Sequence, residues 1–292
     1  MTAPTLTSNG APIPFTPDYF GVLKSSDPSL NGPALRAQYD ADGYVLLKGA
    51  VPAQMVWDLR EAYLRQFPAG FCKNDDLRRG AFSGTMPAGL PGHGHPGHPA
   101  YQFVRSDAFR AFADHAVFKN LAEAFFDAPA TRIRRTPLRQ FIPGRNVASR
   151  AHTDRTYING VDADIVTIWV PLGDSPIVSG GLIYLENSHR DDSLESRIRE
   201  TQAQGRAPTD RNHDTRPLTH DLKWVADNTG HRWLATDYTA GDVVVHSPAI
   251  VHASTDPGDT DYMRISTDIR FRRTESPADL RWDSDWAADD GY

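Results

Sequence analysis

Ser149-Arg150-Ala151-His152-Thr153-Asp154 is the stretch to read first, and it has a partner far downstream. The partner begins Gly241-Asp242-Val243-Val244-Val245-His246, runs through His252 and ends near Arg264. His152 and Asp154 are two residues apart, so on a strand both side chains point the same way and can grip one ion. A third donor must come from another strand, which requires a fold that brings remote strands together. From residue 130 onward the chain predicts such a fold. Candidate strands are 131–141, 147–153, 164–171, 181–185, 232–236, 242–246, 250–254 and 263–272, with turns rich in Gly, Pro, Asn and Asp between them. Many short strands of this kind predict a sandwich or barrel.

Two imidazoles and one carboxylate on one face of an octahedron are the ligand set of a mononuclear non-heme iron(II) site, with open positions opposite. His-x-Asp alone is weak evidence, because a structural histidine beside a turn or salt-bridge aspartate reads the same way. The chain also holds a second copy, His189-Arg190-Asp191. That copy follows a strand and a turn, and Asp191 and Asp192 suit a helix start. The downstream segment favours the first copy. His246 and His252 compete for the third ligand position. His252 is favoured, with Ala253-Ser254 after it and Arg264 about a dozen residues beyond; His246 is then a neighbour of the site or a strand-end core histidine. An Arg within an alternating strand can simply be a surface residue. A guanidinium fork, however, matches a carboxylate bidentately and works well in a partly buried pocket, which makes Arg264 a candidate to hold a carboxylate ligand. Ser254 and Ser266 stand where a hydroxyl could add a bond to the same molecule.

The rest of the chain sets bounds. It has 292 residues, 39% hydrophobic and 23% charged, enough for a substantial core. A net charge of −6 without a basic stripe gives nucleic-acid binding no support. Cys72 stands alone, which excludes an intramolecular disulfide and a Cys-rich zinc site and fits a cytoplasmic setting. No apolar run is long enough to span a membrane, and Met1-Thr2-Ala3-Pro4 does not read as a signal peptide. Residues 1–33 read as an irregular arm, and 34–292 as a single domain with a barrel core over about 130–273 and an insertion over about 190–230. Helices are expected near Pro33–Arg36 with Leu35 and Tyr39 on one face, over Pro52–Gln66, and over 107–126, with a short strand at Gly43–Lys48. The Gly/Pro-rich stretch 70–101, containing His93, His95 and His98, reads as a functional or solvated loop rather than a metal site.

With these residues in view, the chain resembles the phytanoyl-CoA dioxygenase family of iron(II)/2-oxoglutarate-dependent oxygenases. The resemblance runs from about 35 to 272. It rests on Tyr39-Asp40-Ala41-Asp42-Gly43-Tyr44-Val45-Leu46-Leu47, the His152/Asp154 pair, Val166-Thr167-Ile168-Trp169-Val170-Pro171-Leu172, Ser179-Gly180-Gly181-Leu182 to Asn187-Ser188-His189, Gly241-Asp242, His252-Ala253-Ser254 and Arg264. It implies a mostly β fold with flanking α, a cupin-like double-stranded β-helix (jelly-roll) barrel with N-terminal helices packed outside. It also implies iron ligation by His152, Asp154 and His252, with Arg264 and Ser254 on 2-oxoglutarate. Trp169 matches a family position beside that cosubstrate, and Gln140 stands where other members place a polar group. Thr153 departs from the Gln common there, and Asn187 from the usual Pro-Gly turn. The implied cofactors are Fe(II), 2-oxoglutarate and O2. The implied reaction releases succinate and CO2 and oxidises an unactivated C–H bond of a small-molecule metabolite, with hydroxylation expected. Related halogenases replace the carboxylate with a small residue, so Asp154 predicts hydroxylation, desaturation or ring formation instead.

No catalytic residue beyond the metal ligands is expected. Substrate contacts are expected from loops 70–101, 155–163 and 190–230, with Tyr157 and Asn159 as candidates. Arg270, Arg272 and Arg273 read as a solvated strand end, and the tail Arg281–Trp286 as a segment docking two tryptophans on the body or on another subunit. The partner is a small-molecule substrate, with homo-oligomerisation left open. Two rival readings are a cupin-like binding protein without turnover and a 2-oxoglutarate-free metalloenzyme on the same triad; neither gives Arg264 a role.

Overall fold

The computed structural model describes residues 4–27, 29–145, 147–158, 164–204, 217–258, 260–279 and 281–287. The N-terminal arm is more ordered than its composition predicts. Thr5–Ser8 (β1) and Ala11–Pro14 (β2) pair as a hairpin, and Phe20–Val22 (β3) follows. Asn9 and Gly10 both have positive φ, the backbone that a tight two-residue hairpin needs. Helix α1 (Gly32–Asp42) starts where the Asn31 side chain accepts the Ala34 amide and stops at Gly43, φ 78°. Strand β4 (Tyr44–Leu47) and α2 (Ala53–Leu64) follow as expected.

Within the 70–101 loop a short α3 forms (Pro99–Phe103). The expected helix over 107–126 is two helices, α4 (Asp107–Ala113) and α5 (Ala116–Phe126). His115 between them is extended and caps α5 with its own ring nitrogen. The expected strand 131–141 likewise splits, into β5 (Ala130–Arg132) and β6 (Leu138–Phe141). Then come β7 (Ile165–Pro171), β8 (Leu182–Leu185), α6 (Leu194–Ala203), α7 (Leu222–Thr229), β9 (Trp233–Ala235), β10 (Val243–His246), β11 (His252–Ser254) and β12 (Arg264–Arg273). The expected strand 147–153 survives only as isolated bridges, Ala151 to Thr219 and His152 to His252.

The strands form two main sheets. One runs β4-β10-β7-β12-β5, with β6 also on β12; the other runs β11-β8-β9-β3. Alternation sorts their side chains into layers. Val45, Val166, Ile168, Val170, Val243, Val245, Ile265 and Ile269 face outward, into a core shared with α1 to α5. Ile183, Leu185, Trp233 and Ala253 face the other way, toward α6, α7, Ile13 and Phe20. Between the sheets lie Tyr44, Leu46, Trp169, Leu182, Tyr184, Leu234 and Val244. The Tyr44 and Tyr184 rings stack across this gap at 5.7 Å. The sheets therefore face each other as the walls of a jelly roll, joined by isolated bridges rather than closed into one continuous sheet. The inner layer is where the polar site sits.

Candidate metal centre

His152, Asp154 and His252 converge between the sheets. Each offers one donor atom, and these atoms all lie within 4.8 Å of one another. The backbone sets this up: His152 and His252 exchange both amide–carbonyl hydrogen bonds, at 3.0 and 2.9 Å. Asp154 does not share a strand with His152, as alternation had suggested. It opens a 3-10 turn, Asp154–Thr156, which swings the carboxylate beside the imidazoles.

Both imidazoles are fixed in one tautomer. His152 Nδ1 donates to the Arg150 carbonyl at 2.6 Å, and His252 Nδ1 to the Ile250 carbonyl at 3.0 Å. A carbonyl cannot donate, so Nδ1 carries the proton and Nε2 keeps its lone pair for a ligand bond. Burial, then the neighbouring His252, pushes His152 well below its ordinary pKa; burial, then His246, pushes His252 down to about 4. Both are neutral at pH 7. Burial opposes ionisation of Asp154, but Arg270, His246 and His252 together outweigh it and hold the carboxyl well below the usual range. Two neutral imidazoles and a buried carboxylate are a donor set that suits a divalent ion. It is the sole such three-ligand cluster among the described residues.

Further contacts hold the carboxylate. Thr167 Oγ donates to Asp154 Oδ2 at 2.6 Å, and Arg270 spans both oxygens at 2.9 and 3.4 Å. His246 Nε2 stands 3.4 Å from Oδ2, while its Nδ1 meets the Tyr184 hydroxyl at 3.0 Å. His246 thus lies beside the triad rather than in it. Arg270 overturns the expectation of a solvated strand end: it lies inside β12, is 3% exposed and pairs with a ligand. Its register held the clue, since Arg264, Ser266, Asp268 and Arg270 alternate onto one face. Thr167, a lone polar residue in an apolar strand, was the comparable signal for β7.

Arg264 is 1% exposed. Its Nε donates to the Gly180 carbonyl at 2.9 Å, one terminal nitrogen donates to Ser266 Oγ at 2.7 Å, and the guanidinium lies 4.0 Å over the Phe141 ring. The other terminal nitrogen is buried with no partner among the described residues. Buried donors are rarely left so, and this one fits a missing carboxylate. Burial, then Arg139, lowers Arg264 to about 9, which still leaves it charged at pH 7. Gly180 holds the close approach: at φ 86° an added Cβ would meet the Thr255 carbonyl at 2.6 Å. Ser254 Oγ is fully buried and accepts the Ser149 amide at 2.8 Å, leaving its own proton to donate. Trp169 stands in the inner layer, edge-on to Tyr238.

Other expected site residues fall elsewhere. Gln140 pairs across with Ile265, on the helix-facing side of the sheet, where it accepts from the Tyr63 hydroxyl at 2.9 Å. Arg264 is on the opposite face, so Gln140 is not a cosubstrate contact. Tyr157 does reach the site, its ring 5.4 Å from that of His152. Asn159 lies outside the described residues. His93 and His98 pack together at 5.0 Å, His93 Nε2 on the Leu138 carbonyl and His98 capping α3, so neither is set up as a ligand. The second His-x-Asp copy does not assemble: Asp191 accepts the Ser193 amide at the start of α6. Trp286 docks on the body against Tyr101, ring centroids 4.3 Å apart.

The family described as Phytanoyl-CoA dioxygenase (PhyH) matches residues 39–257. No curated protein sequence matches this chain. Among solved structures, it is similar to the non-heme alpha ketoglutarate dependent epimerase SnoN from nogalamycin biosynthesis, with 21% identity, 84% of each chain covered and a TM-score of 0.53. It is also similar to the non-heme alpha ketoglutarate dependent carbocyclase SnoK from nogalamycin biosynthesis, at 19% identity, over 87% of this chain and 88% of that one, with a TM-score of 0.56. AviO1 from Streptomyces viridochromogenes Tue57 gives 18% identity, 86% and 99% coverage, and a TM-score of 0.54. At these identities the likeness establishes a common fold.

Proposed function

The chain belongs to the phytanoyl-CoA dioxygenase family, and on that premise we propose that it is an iron(II)/2-oxoglutarate-dependent oxygenase. It oxidises an unactivated C–H bond of a small-molecule metabolite, with hydroxylation as the outcome and natural-product biosynthesis as the setting. The setting is suggested by the roles of SnoN and SnoK in nogalamycin biosynthesis. The carrying observation is the pairing of a buried His152–Asp154–His252 donor set with a buried, partly unpartnered Arg264 in one inner layer. A binding protein without turnover, or a metalloenzyme without 2-oxoglutarate, has no use for that second feature.

Iron(II) with 2-oxoglutarate and O2 supplies, when bound, the oxidative decarboxylation to succinate and CO2 that drives attack on an inert C–H bond. The protein's task is holding and shielding. His152 and His252 present Nε2 because backbone carbonyls hold Nδ1–H. Thr167 holds Asp154 Oδ2 and Arg270 holds Oδ1, which fixes the carboxylate beside the two imidazoles, where it would complete the donor set for the ion. Arg264 takes the distal carboxylate of 2-oxoglutarate through its spare nitrogen, with Ser254 and Ser266 as neighbouring hydroxyls and Trp169 as an apolar wall. Tyr157 is a substrate contact beside His152.

Anaerobic titration of the protein with iron(II) and 2-oxoglutarate tests the reading. A weak visible charge-transfer band is expected, absent in His152→Ala. Binding of iron(II) with no such band, and no succinate release against a metabolite panel, would overturn it.

A further inference from the structure

A cavity of about 310 Å³ is lined by Ile133, Ile158, Ile165, Arg272 and Trp282, and its outer wall is the C-terminal segment. We infer that this cavity is the substrate chamber of the oxygenase proposed above, on which the inference rests. It takes a compact ring compound that is neutral or cationic, and it turns anions away.

Three observations place the chamber against the chemistry. Ile158, on its wall, donates its amide to the carbonyl of the ligand Asp154 at 3.1 Å. Tyr157 packs with the same apolar group, Ile133, Ile158 and Ile165, and its ring meets His152. Arg270 connects the two sites directly: its guanidinium bonds Asp154 and lies 5.4 Å from the centroid of the Trp282 ring, which lines the cavity. One cation therefore touches a metal ligand on one side and the chamber wall on the other.

The outer wall is built to stay in place. Arg272 donates to the Ser276 carbonyl at 2.8 Å where the segment leaves β12. The Trp282 carbonyl accepts the Arg135 amide at 3.0 Å. Asp285 pairs with Arg110 and Arg134, each at 3.2 Å, and Trp286 is buried beyond it. This wall lies past residue 257, where the family match ends. The metal ligands thus lie inside the matched region, while the outer wall lies on a C-terminal segment beyond it, a kind of peripheral segment where selectivity is expected to reside.

The lining sets the ligand class. Isoleucines and one indole face form a surface for a saturated or aromatic ring. The polar edge carries three carboxylates, Asp164, Asp279 and Asp283, against the single guanidinium of Arg272. Arg272 is already engaged by the carbonyls of Arg273, Thr274 and Ser276. Asp164 and Asp279 have arginine partners, whereas Asp283 has no ion pair among the described residues. The edge thus offers carboxylate acceptors, with unpaired negative charge at Asp283. A hydroxyl or ammonium group suits it; a coenzyme A ester, with its phosphates, does not.

The test uses three probes of one shape and different charge: 1-aminoadamantane, 1-adamantanol and adamantane-1-carboxylate. They are titrated calorimetrically into the full chain, with and without Mn(II) and 2-oxoglutarate. The amine and the alcohol are expected to bind, and the carboxylate at least tenfold more weakly. Trp282→Ala should weaken the amine and the alcohol about tenfold, and Trp282→Phe should restore part of the loss. Asp283→Lys, at an exposed position, should narrow the amine–carboxylate gap about three- to fivefold. Carboxylate binding as tight as amine binding, indifference to Trp282→Ala, or no heat from any probe would overturn the inference. Failure of Mn(II) and 2-oxoglutarate to bind would sink the oxygenase reading instead, whatever the probes do.

Discussion

Replacing Arg270 with Gln should destabilise the metal-free protein and at the same time tighten its grip on a divalent ion. The Arg270–Asp154 pair is 4% and 2% exposed, with a contact of 2.9 Å. Removing one partner of such a buried pair costs about 3–5 kcal/mol, because the other charge is left uncompensated. In a chain of this size that is a fall in Tm of about 5–8 °C. The ion experiences the opposite. In the wild type the guanidinium already neutralises the carboxylate the ion needs, and it repels the ion's two charges at close range. Even at a high effective dielectric, losing that repulsion should strengthen ion binding by about ten- to a hundredfold. Saturating Mn(II) should then return about 1.4–2.7 kcal/mol of the lost stability. Thermal melts with and without Mn(II), together with calorimetric Mn(II) affinities for both proteins, read the two effects separately. An equal Tm loss with and without the ion, or unchanged or weaker Mn(II) binding, would refute this account of Arg270 as a competitor for Asp154.

Mn(II) affinity should stay within about threefold between pH 7.5 and 5.5, because the ligand histidines are neutral there; two imidazoles with ordinary pKa values near 6.5 would lose about a hundredfold. Stability behaves differently. The folded pKa of His252, about 4, lies below its unfolded value, so the unfolded chain takes up protons first. Metal-free stability should therefore fall as pH drops from about 6.5 to about 4, as urea melts across that range can measure. Asp154 acts in the same direction over a lower window: its lowered pKa adds stability that is present above about pH 3.9 and is lost as pH falls through the folded value. Arg264→Gln should raise the 2-oxoglutarate KM by roughly thirtyfold or more while leaving Mn(II) affinity unchanged, read by succinate formation and calorimetry. Gly180→Ala should cost about 1–3 kcal/mol, from its positive φ and the carbonyl its methyl would meet, as denaturant melts would report.

How much of this was legible in the sequence depends on how local each signal was. The strands from Ile165 onward followed from alternation and from the turn residues between them, which the chain carries on its face. Other elements depended on partners that spacing does not reveal. The 107–126 helix broke at His115 because a ring nitrogen there caps the next helix. Gln140 turned outward because its register on β12 is set opposite Ile265, not Arg264. The N-terminal arm gained a hairpin from Asn9-Gly10, a turn signal masked by surrounding prolines and serines.

Strand β12 ties these observations together. Its outward residues, Ile265, Ile269 and Phe271, belong to the helix-packed core, and its register against β7 and β6 is therefore fixed by apolar burial. The same register dictates where Arg264, Ser266, Asp268 and Arg270 point. A slip of one residue would drive four polar side chains into the helix layer and carry the apolar ones into the site, an outcome that the burial of either set forbids. The site's two buried arginines are thus placed by the hydrophobic face they do not belong to. Core substitutions such as Ile269→Ala should consequently disturb Arg270 and the metal centre as well as stability, whereas changes in the exposed part of the 70–101 loop should leave both intact.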